Sequence, residues 1–168
     1  RGAERVGVVT EEEPFGLFLK SVLEQSVLGR QLVVNQTVTG GVTDFRAILS
    51  TMKRRSVDSL FVFVFSEASV ISLLRQASEL GVGLKLYGIH DVSSYINRAE
   101  FKPYLKGMVY SDFRVRNREF VQRYRERFGH DPHLTASYAY DTINLLLQAL
   151  SSGKTSPETV RRFLMDSE

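Results

Sequence analysis

Short apolar segments of β type recur along the first two thirds of the chain, roughly 25 residues apart, with amphipathic helical patterns between the early ones. The segments begin near Val6, Leu32, Ser59, Leu84 and Gly107. Such alternation is typical of βα units, so the sequence predicts an α/β fold with a Rossmann-like parallel sheet and helices on both faces. The third segment continues through residues 60–65 without polar alternation, which predicts a strand that is covered on both faces and central in the sheet.

Three amphipathic helices are predicted between the first four strands. The first has Pro14 in its opening turn and ends at Gly29, and the second begins at Thr43 or Asp44, either of which can cap it. The third ends at Gly81. The apolar residues of the first helix lie on one face; they are Phe15, Phe18, Leu19, Val22 and Leu23.

The pattern changes after Tyr110. Two long helical patterns follow, about residues 115–128 and 134–150, and then a short one with Ser156 as its cap; no further strand pattern appears. In a closed doubly wound domain, helices alternate with strands to the end. The sequence therefore predicts an α/β lobe over residues 1–110 and strandless C-terminal helices over residues 111–168, which we expect to pack on something outside this sequence.

Composition and charge indicate a globular domain. Hydrophobic residues make up 43% of the chain and charged residues 24%, and no apolar run is long enough to span a bilayer. The net charge is +3. The arginines of residues 114–127 alternate with apolar residues at helical spacing, which favours a solvated helix face over a nucleic-acid surface. The absence of cysteine excludes disulfides and thiolate sites within this sequence.

The loops that follow the strands contain no catalytic or cofactor motif. Glu11, Glu12 and Glu13 precede the first helix, where they would repel a phosphate but complement the helix dipole. The third strand ends in residues 65–67, Phe-Ser-Glu, which lack the aspartate of a receiver domain. There is no Gly-x-Ser-x-Gly turn, and the two histidines of residues 130–133 are typical of a turn between helices rather than of a zinc site. We therefore predict no enzymatic activity, no catalytic residue, no cofactor and no metal.

Four stretches of the chain stand in a characteristic order. They are Val6-Gly7-Val8-Val9 with Phe15-Gly16 after an acidic loop, Gly40-Gly41-Val42-Thr43-Asp44-Phe45, Gln76-Ala77 with Gly81, and Phe120 through Tyr124 to Phe128-Gly129 followed by Ala139-Tyr140-Asp141. In this order they resemble the type I periplasmic binding proteins, in particular the leucine/isoleucine/valine-binding branch that serves ABC transporters. The resemblance implies two α/β lobes that close on a ligand across a hinge. This chain corresponds to the second lobe and to C-terminal helices that belong to, or contact, the first lobe.

The resemblance implies an extracytoplasmic solute-binding protein, located in the bacterial periplasm, that delivers a small polar molecule to a membrane permease. An amino acid or a small carboxylate is the implied ligand. A sensory ectodomain or an envelope lipoprotein regulator of the same fold is the alternative function. For the C-terminal helices we expect the apolar faces to pack against lobe-two surface or a neighbouring chain; these faces include Phe120, Tyr124, Ile143 and Leu147.

The family's second lobe contributes ligand contacts from three loops, and two of them correspond directly to residues of this chain. After the first strand, the family's Tyr-Gly pair corresponds to Phe15 and Gly16, which keep the stacking area but lose the hydroxyl. Packing of Phe15 in the core is the other interpretation. After the third strand, Ser66 and Glu67 stand where a side chain can hydrogen-bond a ligand.

The loop after the fourth strand departs from the family. Family members that bind amino acids have an acid there, which pairs with the amine of the ligand. His90 takes that place in this chain, and Asp91 follows it. If Asp91 points inward, an amine-bearing ligand fits. If His90 points inward, an anionic or aromatic ligand fits better.

Overall fold

The computed structural model describes residues 2–96, 98–112 and 115–166. The chain divides into two compact units, Arg1–Asp112 and Phe113–Glu168. The elements of the first unit are β1 (Val6–Glu11), α1 (Pro14–Gln25), β2 (Leu32–Val38), α2 (Arg46–Arg54), β3 (Ser59–Phe63), α3 (Glu67–Glu79), β4 (Lys85–Gly88) and β5 (Val109–Tyr110), with short 3₁₀ helices at Val27–Gln31 and His90–Ser94. Among the described residues, each predicted strand is present and begins within two residues of its predicted start.

The five strands form a parallel sheet in the order β2-β1-β3-β4-β5. The apolar segment that includes β3 is central, as its lack of polar alternation predicts. Thr10 of β1 lies opposite Phe63 of β3, and Phe61 lies opposite Tyr87 of β4. The carboxyl ends of these strands therefore meet at one edge of the sheet, which we call the carboxyl edge.

Helices cover both faces of the sheet, which confirms the predicted fold class. Neighbouring strand residues point to opposite faces. Val8 accordingly packs in a cluster with Leu23 of α1, whereas Val9 packs in the larger cluster with Leu49 of α2 and Leu73 of α3. Burial of these side chains is the main source of stability for the unit.

The first helix differs from its prediction in its end. It ends at Gln25 rather than at Gly29, because the hydroxyl of Ser26 donates to the Leu23 carbonyl at 2.6 Å and then accepts from the Leu28 N–H at 3.1 Å, which starts a 3₁₀ helix. Leu23 is buried, but Phe15, Phe18 and Val22 are 43%, 60% and 50% exposed. The apolar face of this helix is therefore only partly covered by the sheet.

The start of α2 is held by a side chain from another helix. The helix begins at Arg46, with Phe45 at the N-cap position rather than the predicted Thr43 or Asp44. The Asp44 carboxylate accepts a hydrogen bond from the Arg46 N–H at 3.2 Å. Gln76 of α3 accepts from the N–H of the buried Phe45 and donates to the Thr43 carbonyl, both at 2.7 Å. At its other end α3 stops before Gly81, which has a positive φ of 56°, as predicted.

Asp58 anchors the chain at the opposite edge of the sheet, where the strands begin. One oxygen of its carboxylate accepts the N–H of Arg5 at 2.9 Å and that of Glu4 at 3.0 Å. Burial raises the pKa of Asp58, but the hydrogen bonds to its carboxylate outweigh this effect and hold the pKa below its usual value. This carboxylate thus joins the segment before β1 to the start of β3.

The second unit consists of α4 (Arg118–Phe128), α5 (Leu134–Ser151) and α6 (Pro157–Asp166), and its described residues include no strand. Residues 130–133 form the predicted turn, in which Asp131 pairs with Arg125. The ring of Phe120 packs on that of Tyr140, with centroids 4.5 Å apart. Arginines of α4 are exposed, as its helical spacing predicts. Within the described ranges, no helix is both long and apolar enough to cross a membrane.

Candidate functional site

Three aromatic rings meet at the carboxyl edge of the sheet. Phe15 lies in the first turn of α1, Phe65 follows β3, and His90 follows β4. The ring centroids of Phe15 and Phe65 are 5.8 Å apart, and those of Phe15 and His90 are 6.3 Å apart. We call these three residues the aromatic cluster. Two of them, Phe15 and His90, are predicted site residues, and the structure brings them together although they follow different strands.

Phe65 is the member of the aromatic cluster that the sequence interpretation missed. It ends the apolar run of residues 60–65, a pattern that predicts a strand as far as Phe65. The strand itself ends at Phe63, so Phe65 belongs to the loop before α3. Its position directly after a buried strand was the available signal, because ligand sites of open α/β sheets lie at the carboxyl ends of strands.

Gly16 allows close packing beside the aromatic cluster. A Cβ atom at this position would lie 2.7 Å from the Glu11 carbonyl oxygen and 3.1 Å from the Phe65 ring. Its N–H donates to the carboxylate of Glu13, which also accepts from the Phe15 N–H at 3.1 Å. Glu13 is therefore the N-cap of α1, as the helix-dipole interpretation predicts. That interpretation is wrong for Glu11, which ends β1 and accepts hydrogen bonds from the loop after β3 instead.

The hydroxyl of Ser66 connects two loops of the carboxyl edge. It accepts a hydrogen bond from the N–H of Gly41, in the loop after β2, at 3.1 Å. It also bonds the hydroxyl of Ser69 at 2.6 Å. Gly41 has a positive φ of 83°, a conformation that favours glycine. Ser66 is half-buried and contributes to the shape of the edge through these bonds.

Glu67 is exposed and forms an ion pair. Its carboxylate accepts from the guanidinium of Arg98 at 2.7 Å, and this hydrogen bond holds the pKa of Glu67 below its usual value. Arg98 also bonds Glu100 and lies over the rings of Tyr95 and Phe101, 5.9 and 5.0 Å from their centroids. Hydrogen bonds to Glu67 and Glu100 raise the pKa of Arg98. The charge of Glu67 is therefore offset by a neighbouring cation.

His90 and Asp91 face different surroundings. The His90 ring lies beside Phe15, and its Nε2 is 3.8 Å from an oxygen of Asp91. Asp91 lines an apolar cavity of about 10 Å³ together with residues such as Val64 and Tyr95. A cavity of roughly this volume holds no more than a water molecule. The His90 ring therefore belongs to the aromatic cluster, whereas Asp91 lines this small cavity.

Among the described residues, no group of three or more histidine, aspartate or glutamate side chains is placed to hold a metal ion. The chemistry of the carboxyl edge is therefore that of aromatic surface, one imidazole and several carboxylates. Such groups can stack against and hydrogen-bond a small molecule.

Residues 1–166 match a family model described as periplasmic binding protein. The chain belongs to the periplasmic binding protein family. The resemblance inferred from the order of the sequence motifs is thereby confirmed. A search of curated protein sequences gives no match.

Solved structures of periplasmic binding proteins share the fold of this family member. An extracellular ligand binding receptor from Desulfohalobium retbaense is 25% identical, with a TM-score of 0.76 over 96% of this chain and 29% of that protein. A leucine binding protein from Thermotoga maritima is 20% identical, with a TM-score of 0.78 over 96% of this chain and 49% of that protein. A solute binding protein of an ABC transporter from R. palustris, solved with benzoate, is 17% identical, with a TM-score of 0.78 over 97% of this chain and 47% of that protein. The chain thus spans half or less of the length of these relatives.

Proposed function

We propose that the carboxyl edge forms one face of the ligand cleft of a two-lobed, extracytoplasmic solute-binding protein that serves an ABC transporter. The observation that carries this proposal is the meeting of Phe15, Phe65 and His90, which follow three different strands, at the edge where open α/β sheets bind ligands. Support comes from the family match and from structural relatives that are solute-binding proteins. The other face of the cleft, on a first lobe, and a membrane permease would complete the system.

The exposed part of the aromatic cluster suits a ligand with a flat or apolar portion. Phe15 is 43% exposed and provides area for stacking, while the adjacent His90 provides a hydrogen-bonding group. Leucine and benzoate, the compounds in the names of two relatives, both join an apolar portion to a carboxylate. We propose a ligand of this general class, a small amino acid or carboxylate.

Calorimetric titration of the intact protein tests this function. The panel is leucine, phenylalanine, benzoate and 3,4-dihydroxybenzoate, with glucose as a control that has no apolar portion. We expect saturable binding of at least one panel compound and none of glucose. A folded protein that binds no panel compound, or binds glucose equally well, would contradict the proposed ligand class.

We further propose that the C-terminal helices pack against the first lobe in the intact protein. Ile143 and Leu147 lie one turn apart on α5 and are 56% and 54% exposed in this chain. Because this sequence contains no cysteine, Ile143→Cys and Leu147→Cys introduce unique thiols into it. We expect thiol alkylation in the intact protein to be about tenfold or more slower at both positions than at Gln148→Cys, an exposed polar position of the same helix. Equal labelling rates at the three positions would show that the apolar face is not covered.

A further inference from the structure

Glu11, the last residue of β1, is a buried carboxylate at the centre of the carboxyl edge. The residue is only 7% exposed, and its Oε2 accepts the backbone N–H groups of Phe65 at 2.6 Å and Ser66 at 2.9 Å. Its Oε1 lies against the loop after β2, because a Cβ atom at Gly40 would be 2.6 Å from that oxygen. One side chain therefore contacts the loops that follow the two strands on either side of β1.

Strand pairing does not reach the backbone of Phe65. The hydrogen bond from the Phe65 N–H to the Glu11 carboxylate fixes this backbone instead. Pairing between β1 and β3 ends at Thr10 and Phe63. Beyond that point, the described hydrogen bonds of the Phe65 and Ser66 N–H groups run to the Glu11 carboxylate. The Ser66 hydroxyl and the Gly41 N–H add a second connection between the same two loops. The loop after β3 is thus tied to its neighbours mainly through side chains.

Phe65, whose N–H donates to the Glu11 carboxylate, carries the ring that packs on Phe15. Because Glu11 is buried and its oxygens face backbone groups, it acts on a ligand through the position of Phe65 rather than by contact. We infer that Glu11 is a positioning residue of the carboxyl edge that keeps the Phe65 ring against Phe15. Its importance for ligand binding rests on the proposed function, whereas its effect on the loop does not.

Asp58 provides a matched control for a test of this role. It too accepts two backbone N–H groups with one carboxylate, but at the opposite edge of the same sheet. The variants are Glu11→Gln and Asp58→Asn in the intact protein. In Glu11→Gln the amide keeps one acceptor oxygen and introduces an NH₂ group, which must face either two N–H donors or the loop at Gly40.

Two ligand-free measurements report on the loop. Native-state hydrogen exchange at the Phe65 and Ser66 amides should become about tenfold or more faster in Glu11→Gln, and the nuclear Overhauser effects between the Phe15 and Phe65 rings should weaken. Asp58→Asn should leave these signals unchanged and accelerate exchange at Arg5 and Glu4 instead. Unchanged Phe65 and Ser66 exchange in Glu11→Gln, or an equal change in both variants, would overturn the positioning role.

Binding of the compound panel gives the functional readout. We expect Glu11→Gln to weaken binding of the panel compound that binds best by about tenfold, because the aromatic surface is no longer preorganised, and Asp58→Asn to leave the Kd within about twofold. A Kd unaffected by Glu11→Gln overturns the role in binding. If the wild-type protein binds no panel compound, the proposed ligand class fails, and the exchange and ring measurements still decide the role of Glu11.

Gly40→Ala tests the same contact without a change of charge. The added methyl group would overlap Oε1 of Glu11 and displace the carboxylate from the Phe65 and Ser66 N–H groups. We expect faster exchange at these amides, as in Glu11→Gln, which keeps the test decisive if Glu11→Gln fails to fold. Wild-type exchange rates in Gly40→Ala would count against the inference.

Discussion

Replacing Phe15 by alanine in the intact protein is expected to weaken ligand binding about 10- to 100-fold, because the change removes the exposed ring at the centre of the aromatic cluster. The Phe15 ring contacts both Phe65 and His90, so its loss also separates the other two members of the cluster. Calorimetric titration with the panel compound that binds best is the measurement. Phe15→Tyr keeps the ring and should retain affinity within a few-fold.

Phe18→Ala is the matched control for this prediction. Phe18 lies three residues further along the same helix and is more exposed than Phe15, but it is not a member of the aromatic cluster. Replacement of Phe18 should leave the Kd unchanged. Equal effects of Phe15→Ala and Phe18→Ala would argue for a general change in α1 instead.

His90→Ala should weaken binding at least several-fold, and an unchanged affinity in that variant would remove His90 from the site.

Replacing Gln76 by methionine is expected to lower the free energy of unfolding by about 2–3 kcal/mol. Methionine has a similar size but cannot accept the hydrogen bond of the Phe45 N–H, and Phe45 is fully buried. The Thr43 carbonyl loses its bond to the same side chain. Because the loss of a partner leaves a buried donor unsatisfied, its cost exceeds that of an ordinary surface hydrogen bond.

Urea unfolding of the intact protein measures this loss. Arg75→Met, the neighbouring position on α3, is the control, since the Arg75–Glu79 ion pair is exposed and its removal should cost less than about 1 kcal/mol. Destabilisation by Gln76→Met no larger than that of the control would show that the start of α2 does not depend on Gln76. The two hydrogen bonds of Gln76, with the Phe45 N–H and the Thr43 carbonyl, also give a physical reason for the glutamine in the motif Gln76-Ala77 with Gly81.

The positions of the strands and the central place of β3 in the sheet follow from local sequence patterns. The segments near Val6, Leu32 and Ser59 begin at the observed strand starts, because apolar β-branched and aromatic residues between turn signals have few alternatives to a buried strand. The uninterrupted apolar run at residues 60–65 likewise predicts the central strand correctly. Helix ends were predicted less well: Ser26 ends α1 before Gly29 does, since its hydroxyl competes for backbone groups.

The site was predictable in part. The rule that ligands bind at carboxyl ends of parallel strands, with the family resemblance, pointed to Phe15 and His90, and the structure places their rings together. The same reasoning gave no indication that Glu67 pairs with Arg98 or that Ser66 bonds Gly41. The partners in each pair are 25 or more residues apart in sequence, so no local pattern relates them.

By itself, the sequence determined the α/β class, the positions of the strands and the family, since each depends on periodicity and on the order of short motifs along the chain. Only the tertiary structure decided which side chains hold the carboxyl edge together. Glu11 and Phe65 are 54 residues apart, and Gln76 and Phe45 are 31 apart. Hydrogen bonds over such separations form only after the sheet and helices have brought the backbone groups within about 3 Å, a distance that sequence spacing does not encode.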